Sequence, residues 1–541
     1  MDNKTNKVRE ILERVKRREI SAESGYRLIR NGGEDEPGVT KPALIYSRPE
    51  WRVSPCQPGP PPKGDILVFD SGGELYEALQ RHWAVRELPP VRWARVAAAT
   101  TYGAEGGHYR LPPGDGESYR RLLDELGFRP GLIVHAWSER DYDPERLARQ
   151  LELGVASLFH LSRALLQRPS PEPVALHCLA DAASPLDMAL GGFARTLRQE
   201  APHCRCKVIA TEGDSDQTAA RLLDEWGLEE ETEIRYRGGE RSVRLLREVP
   251  PPAAGHAPWR ERGVYLITGG LGGIGRQLAA HLLSRYEARL LLCGRRALNE
   301  ERQARLAQLR ALGGEVFYLQ ADVGERVQVE GLIASLRARY GALNGVIHAA
   351  GVLRDGFLLK KDAADLQAVL KPKVWGTQWL DLATRKEPLE LFVLFSSVSA
   401  VMGNPGQADY AYANGFQDRY ARWRAAQGGA GRSLSLNWPL WEGGGMDIDP
   451  GTKAYMEQDL GLVPAGRGTV AGDAAAHGVG RRTAEDPGGP AEPPNGSEHR
   501  QSRRRRGDQE GGQGLSSTGG GVSQEAVVAG DQVACRTDRC T

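Results

Sequence analysis

Ser397 and Tyr410 lie thirteen residues apart in FSSVSAVMGNPGQADYAYANGFQDRYARW, the serine at the end of an apolar strand pattern and the tyrosine at the opening of a helical one. Two hydroxyls so placed can reduce a carbonyl: Ser397 bonds the ketone oxygen and Tyr410 gives it a proton while a hydride reaches the carbon. A free phenol has a pKa near 10, so Tyr410 needs a cation close by to work near neutral pH. Asn414 falls one turn later on the same helix face. Lys371 and Lys373, in LKPKVWGTQWL, are the candidate cations, and spacing alone does not choose between them.

The hydride needs a bound donor, and YLITGGLGGIGRQLA offers a seat for one. An apolar run breaks into Thr268, Gly269, Gly270, Leu271, Gly272, Gly273, Ile274 and Gly275, then resumes as a helix. Glycine permits positive φ and close backbone approach, at a cost of about 0.5–1 kcal/mol relative to alanine in regular structure. The spacing Gly269, Gly273, Gly275 has the T-G-x-x-x-G-x-G form of short-chain reductases. A pyrophosphate at the following helix N-terminus would meet free N–H groups and the positive end of the dipole.

Later strand ends extend this seat. Arg295 and Arg296 close LLLCGRR, where NAD-binding chains carry an acid for the ribose 2′-hydroxyl, so a guanidinium there suits the 2′-phosphate of NADPH. Asp322, followed by Val323, stands where a carboxylate can meet the adenine amino group. Ala349, Ala350 and Gly351 are small enough to let backbone lie against the cofactor, and His348 before them is read as structural. His203, Cys204 and Cys206 run straight into a strand pattern with no second ligand pair nearby, so no metal is expected.

Positioning these groups takes two series of alternating strand and helix patterns. The expected fold is α/β with two Rossmann-like subdomains: a truncated structural half and a catalytic, NADPH-binding half with a doubly wound parallel sheet. The structural half begins ILVFDSGGEL, which lacks a glycine series able to cradle a pyrophosphate. The expected boundaries are a helical linker or docking segment over 1–41, the structural half over 42–255, the catalytic half over 256–464 and a disordered or out-of-frame tail over 465–541. No Phe, Tyr or Trp follows Tyr455, and the tail has the Gly, Pro and charge content of a chain that cannot bury enough surface to order itself. Loss of the closing elements would leave a neighbouring strand as an open edge.

The 541 residues have room for several domains, and the net charge of +1 disfavours nucleic acid or an anionic membrane as the main partner. No run of 18 apolar residues occurs and the start lacks a signal-peptide pattern, so a cytoplasmic location is expected, with the seven cysteines as mostly buried, reduced thiols.

The motifs TGGLGGIG, HAAGVLRDG, KPKVWGTQWL, FSSVSAVMGNPGQADYAYAN and SLNWPLW together resemble the ketoreductase domain of modular polyketide synthases, a branch of the short-chain dehydrogenase/reductase superfamily, over residues 42 to about 462. In that family the lysine and asparagine of the usual short-chain reductase tetrad exchange places. The resemblance therefore implies Lys373, Ser397, Tyr410 and Asn414 as the tetrad, with Lys373 holding the ribose and depressing the Tyr410 pKa. It implies Trp438 as a cofactor contact, Asp355 and Gln407 as stereocontrol or substrate residues, and a D-configured alcohol, although Arg354 stands where an aspartate is frequent. It implies a β-ketoacyl thioester on an acyl carrier protein as substrate, NADPH as cofactor, neighbouring synthase modules as partners, and DIDPGTKAYMEQDLGLVPA as a substrate lid. The front segment is similar to linkers of synthases whose acyltransferase acts in trans. Two other functions fit some of these features: a silent ketoreductase-like scaffold, and a free-standing reductase of a small ketone, which would not need residues 42–250.

Overall fold

The computed structural model describes residues 43–441, apart from 57–58, 60–62, 140, 169–171, 227–230 and 251–257, together with the backbone of 462–463 and 532–537. The expected docking segment 1–41, the lid except 462–463, and the tail except 532–537 lie outside the described residues.

In the structural half, β1 spans Ala43–Val53, β2 Asp65–Phe69, β3 Trp93–Ala98, β4 Gly103–Glu105, β5 His108–Leu111, β6 Pro130–His135, β7 Val174–Ala180, β8 Cys204–Ala210, β9 Glu233–Arg237 and β10 Glu240–Val249. Strands β5, β3, β2, β6, β7 and β8 pair in parallel in that order, a doubly wound sheet. β9 adds in parallel, then β10 and β1 turn back antiparallel. What truncates this half is a crossover: between β3 and β5 the usual helix gives way to the β4–β5 hairpin, turned on Gly106 and Gly107 at φ 56° and 84°.

The turn after β2 is closed by its own side chains. Asp70 accepts from the Gly72 and Tyr76 N–H groups, so its own carboxylate sits at the start of helix Glu74–Val85 where a phosphate would bind. Arg95 closes the same turn by donating to the Asp70 and Ser71 carbonyls.

The catalytic half holds β11 (Val264–Thr268), β12 (Arg289–Gly294), β13 (Glu315–Gln320), β14 (Gly345–His348), β15 (Leu391–Ser397) and β16 (Arg432–Trp438). They pair in parallel as β13-β12-β11-β14-β15-β16, so the order reverses between β11 and β14, where such sheets bind dinucleotides. Every residue of β11 and β14 is buried, as helix cover on both faces requires. Each fully buried Leu or Ile there stabilises the fold by about 1.5–3 kcal/mol.

The edge expected to lie open beside β16 is partly covered. Backbone of 532–537 pairs in parallel with Leu436 and Asn437 and antiparallel with β1 from Ala43 to Ser47. That strand bridges the two halves.

The halves also meet along two helices, α1 (Pro185–Glu200) and one from the catalytic half, Ala408–Ala426. They approach so closely that a Cβ on Gly192 would lie 2.6 Å from the Ala411 carbonyl oxygen, while Gly415 faces Ala189 in return. Beside this contact Glu233 is fully buried among three guanidinium groups: Arg195 at 2.6 Å, Arg244 at 3.0 Å and Arg419 at 2.5 Å.

Candidate active site

In the catalytic half the helices that matter are α2 (Gly273–Tyr286), α3 (Ala363–Leu370), α4 (Gly376–Thr384) and α5 (Ala408–Ala426). All candidate groups cluster at the carboxyl ends of β11 to β16. Ser397 is the last residue of β15, and its Oγ accepts from the Ser399 N–H at 3.2 Å. Tyr410 stands in the first turn of α5 and is buried. Asn414, one turn on, donates from Nδ2 to the Tyr410 carbonyl at 2.8 Å and leaves its buried Oδ1 without a donor among the described residues.

Between α3 and α4 the chain makes one π-helical turn, Lys371–Trp375, at Pro372, which has no N–H to give the ladder. The turn separates the two lysines. Lys371 points outward to Glu325 at 2.6 Å and Asp322 at 3.3 Å. Lys373 points in, donating to the Phe395 carbonyl at 2.8 Å and Gln417 Oε1 at 3.0 Å, with Nζ over the Tyr410 ring, 5.6 Å from its centroid. Of the two lysines, Lys373 is thus the one beside Tyr410.

Burial pushes the Lys373 ammonium down from the ordinary 10.5 to about 7, opposed by the Asp418 carboxylate. Burial also pushes the Tyr410 phenol up to about 12; hydrogen bonding with Asn414 pulls it back, the Asp355 charge raises it, and Ser397 lowers it. The depression expected from Lys373 is not found; Asn414 and Ser397 offset only part of the rise that burial causes.

His348 ends β14 and bridges Thr268 Oγ1 at 2.7 Å to the Pro372 carbonyl at 2.9 Å. Burial and the nearby Lys373 charge hold its pKa down near 3, so it is a neutral strut that joins the glycine loop to the lysine turn.

The loop after β11 suits a dinucleotide. Gly269 takes φ 68°, a Cβ there would meet the Ala349 carbonyl at 2.9 Å, and one on Gly275 would meet the Gly269 carbonyl at 2.7 Å. Gly272 opens α2 without a side-chain cap, which leaves the first N–H groups, from Gly273 and Ile274 onward, facing the loop mouth. Gly270 packs on Leu292, and Leu271 is buried with its carbonyl held by Arg305.

Arg295 and Arg296 follow β12 and are exposed, and no carboxylate pairs with either among the described residues. Val323 is buried, Ala349 and Ala350 are half-buried, and a Cβ on Gly351 would touch Lys373 Cε at 3.1 Å. Asp322 is less free than expected, since Lys371 and the Gly324 N–H hold its two oxygens. Trp438 ends β16 and packs edge-on against Phe395 and Trp441. Asp355 and Gln407 form a pair, with Gln407 Nε2 donating to Asp355 Oδ2 at 3.0 Å. Cys204 and Cys206 are core residues of β8.

Sequence reasoning missed Gln417, which orients Lys373 while donating to Thr377 Oγ1. Its signal was present: positions 410, 414 and 417 share one helix face.

Residues 263–443 match the family model described as KR domain, and residues 64–228 match Beta-ketoacyl synthase-like, N-terminal. The chain is 37% identical over 293 residues to polyketide synthase PksN of Bacillus subtilis, which covers 53% of this chain and 5% of PksN. It is 39% identical over 318 residues to polyketide synthase ThaG of Burkholderia thailandensis, covering 56% and 6%. The chain therefore spans about a twentieth of the length of these relatives. Among solved structures it is similar to an N-terminal ketoreductase from the macrolactin assembly line (TM-score 0.73, 25% identity, 98% of each chain). It is also similar to a ketoreductase domain from the bacillaene assembly line (TM-score 0.63, 28% identity, 81% of this chain and 94% of that one).

Fold and matches define a short-chain dehydrogenase/reductase of the kind that uses a nicotinamide cofactor. Within that superfamily, residues 263–443 match the KR domain model and the chain is similar to ketoreductase domains of polyketide synthases, whose general reaction is reduction of a β-keto group. No helix among the described residues is long and apolar enough to cross a membrane.

Proposed function

We propose that this chain reduces the β-keto group of an acyl-carrier-protein-bound β-ketoacyl thioester to the β-hydroxyacyl thioester with NADPH, as one step of polyketide assembly. The observation that carries the reading is the convergence of buried Lys373, Tyr410 and Asn414 with half-buried Ser397 beside an uncapped glycine turn.

The glycine turn would hold the pyrophosphate, Arg295 and Arg296 the 2′-phosphate, and Lys373 the nicotinamide ribose; the cofactor supplies a hydride to the ketone carbon. Ser397 Oγ–H donates to the ketone oxygen and fixes its direction. As C3 gains the hydride, the carbonyl π electrons move to that oxygen and Tyr410 transfers its phenolic proton to it. The high pKa of Tyr410 keeps that proton in place across the neutral range. Asn414 and Ser397 stabilise the phenolate that remains until water returns a proton.

Incubation of the chain with NADPH and a β-ketoacyl N-acetylcysteamine thioester tests this reading. NADPH absorbance should fall in step with hydroxyacyl product. Bound NADPH without turnover would instead make the chain a scaffold.

Two further outcomes follow from the cofactor seat. Replacing Arg295 and Arg296 together by alanine removes charge-assisted hydrogen bonds worth about 1.5–3 kcal/mol, so the KM for NADPH should rise about 10- to 100-fold while that for NADH stays within about threefold. Initial rates with the two cofactors measure this.

Lys373 gives a pH dependence whose sign follows from its depressed pKa. The ammonium form binds the ribose, and in the free protein that form is lost as pH rises through about 7. NADPH affinity should therefore be flat below pH 7 and weaken about tenfold per unit above it, with a proton taken up on binding. Calorimetry in buffers of different ionisation enthalpy measures the uptake, and none at pH 8 would contradict the assignment.

A further inference from the structure

The loops that carry Asp355 and Gln407 are both held by a residue of the other half of the molecule. Glu200, the last residue of α1, accepts from the Leu358 N–H through Oε2 at 2.7 Å and from the Gly406 N–H through Oε1 at 2.8 Å. Those amides belong to separate loops. One follows β14 and carries Asp355; the other precedes α5, takes φ 84° at Gly406 and carries Gln407. Gly356 N–H donating to the Gly406 carbonyl at 2.9 Å joins the loops directly.

A buried lysine backs this joint. Lys361 donates to the Arg354 carbonyl and to Asp409 Oδ2 at 2.5 Å, and Asp409 Oδ1 accepts from the Tyr410 N–H at 2.8 Å. Lys361 and Asp409 are 2% and 0% exposed; burial raises the Glu200 pKa, and the Leu358 and Gly406 N–H groups and the Lys361 charge oppose it. Ions so far from water persist only where each is paired and hydrogen-bonded, so the network has little freedom to relax. It fixes the two loops against each other and against the turn that bears Tyr410.

We propose that Glu200, contributed by the structural half, is a positioning residue for stereochemistry: by holding the Leu358 and Gly406 amides it sets the Asp355–Gln407 wall, and so the face of the ketone turned to the hydride. The proposal rests on the reductase reading above. It gives the cofactor-free half a task in catalysis besides support.

The test compares wild type with Glu200→Gln, which keeps the side-chain shape but presents an NH2 group to one of the two amides. Each reduces a β-ketoacyl N-acetylcysteamine thioester, and the two hydroxyl configurations are separated by chiral chromatography. E200Q should keep its fold by circular dichroism, lose no more than about tenfold in kcat, and form at least fivefold more of the minor configuration. In a Gln407→Ala background, where the wall is already broken, E200Q should change the ratio no further.

A folded, active E200Q with the wild-type ratio overturns the proposal, as does an additive effect in the Q407A background. If E200Q does not fold, Glu200→Asp, which keeps the charge and can reach one amide, takes its place; if neither folds, Glu200 is structural only and the proposal is wrong. Absence of reduction by wild type would sink the reductase reading itself, a result distinct from reduction with an unaltered ratio.

Discussion

Tyr410→Phe should lower kcat by about 10²- to 10⁴-fold, the range a positioned general acid contributes, while NADPH affinity stays within about threefold. The substitution removes one oxygen and leaves the ring that Lys373 lies over. Phenylalanine also tolerates the buried position of Tyr410, so the fold is not at risk. What disappears is the hydroxyl on which Asn414 and Ser397 both act, and with it the proton for the alkoxide. Steady-state kinetics with fluorescence titration of NADPH separates the two effects. Near-normal turnover in the Phe variant would remove Tyr410 as the proton donor.

The largest stability effect is expected far from the chemistry, at Glu233. Truncation to alanine leaves Arg195, Arg244 and Arg419 packed together without their shared carboxylate. Removing one partner of a buried ionic group costs about 3–5 kcal/mol, against a total of about 5–15 kcal/mol for a folded domain. Arg419 sits on α5, the helix that carries Tyr410 and Asn414, so the first unfolding transition should shift to much lower denaturant and activity should be lost with it. The pH dependence has a definite sign: the three guanidinium groups hold the Glu233 carboxyl well below the usual carboxylate range despite burial. Its stabilisation is present above that range and is lost only as strong acid protonates it. A denaturation midpoint unchanged in Glu233→Ala would show that the cluster does not join the halves.

Much of the site was legible in the sequence because its parts are local. A strand running into Gly269–Gly275, and a tyrosine opening a helix with an asparagine one turn on, are each set within one element. The switch-point sheet was legible for the same reason, since six apolar runs separated by helical patterns admit few parallel orders. Lys373 could not be told from Lys371 because a helix of regular pitch does not predict the π turn at Pro372 that sends one inward and the other to solvent.

The structural half shows no glycine cradle in its sequence, but how its turn closes lay in long-range detail: Asp70 folds back on its own turn and Arg95 comes from the next strand. Its missing crossover was marked by EGGH at the β4–β5 turn, a hairpin sequence passed over in favour of helix and strand alternation. The contacts that join the halves were not legible at all. Glu233 and Arg419 are 186 residues apart and Glu200 and Gly406 are 206 apart, and no periodicity reports a pairing at such distance.

The most direct measurement of the central claim follows the hydride. With NADPH deuterated at the transferring position of nicotinamide C4 and a β-ketoacyl group carried on an acyl carrier protein, one deuterium should appear at C3 of the hydroxyacyl product for each cofactor oxidised. A hydroxyacyl product without label, or cofactor that stays reduced beside an intact β-ketoacyl thioester, would contradict the assignment of Lys373, Ser397, Tyr410 and Asn414 as a carbonyl-reducing site.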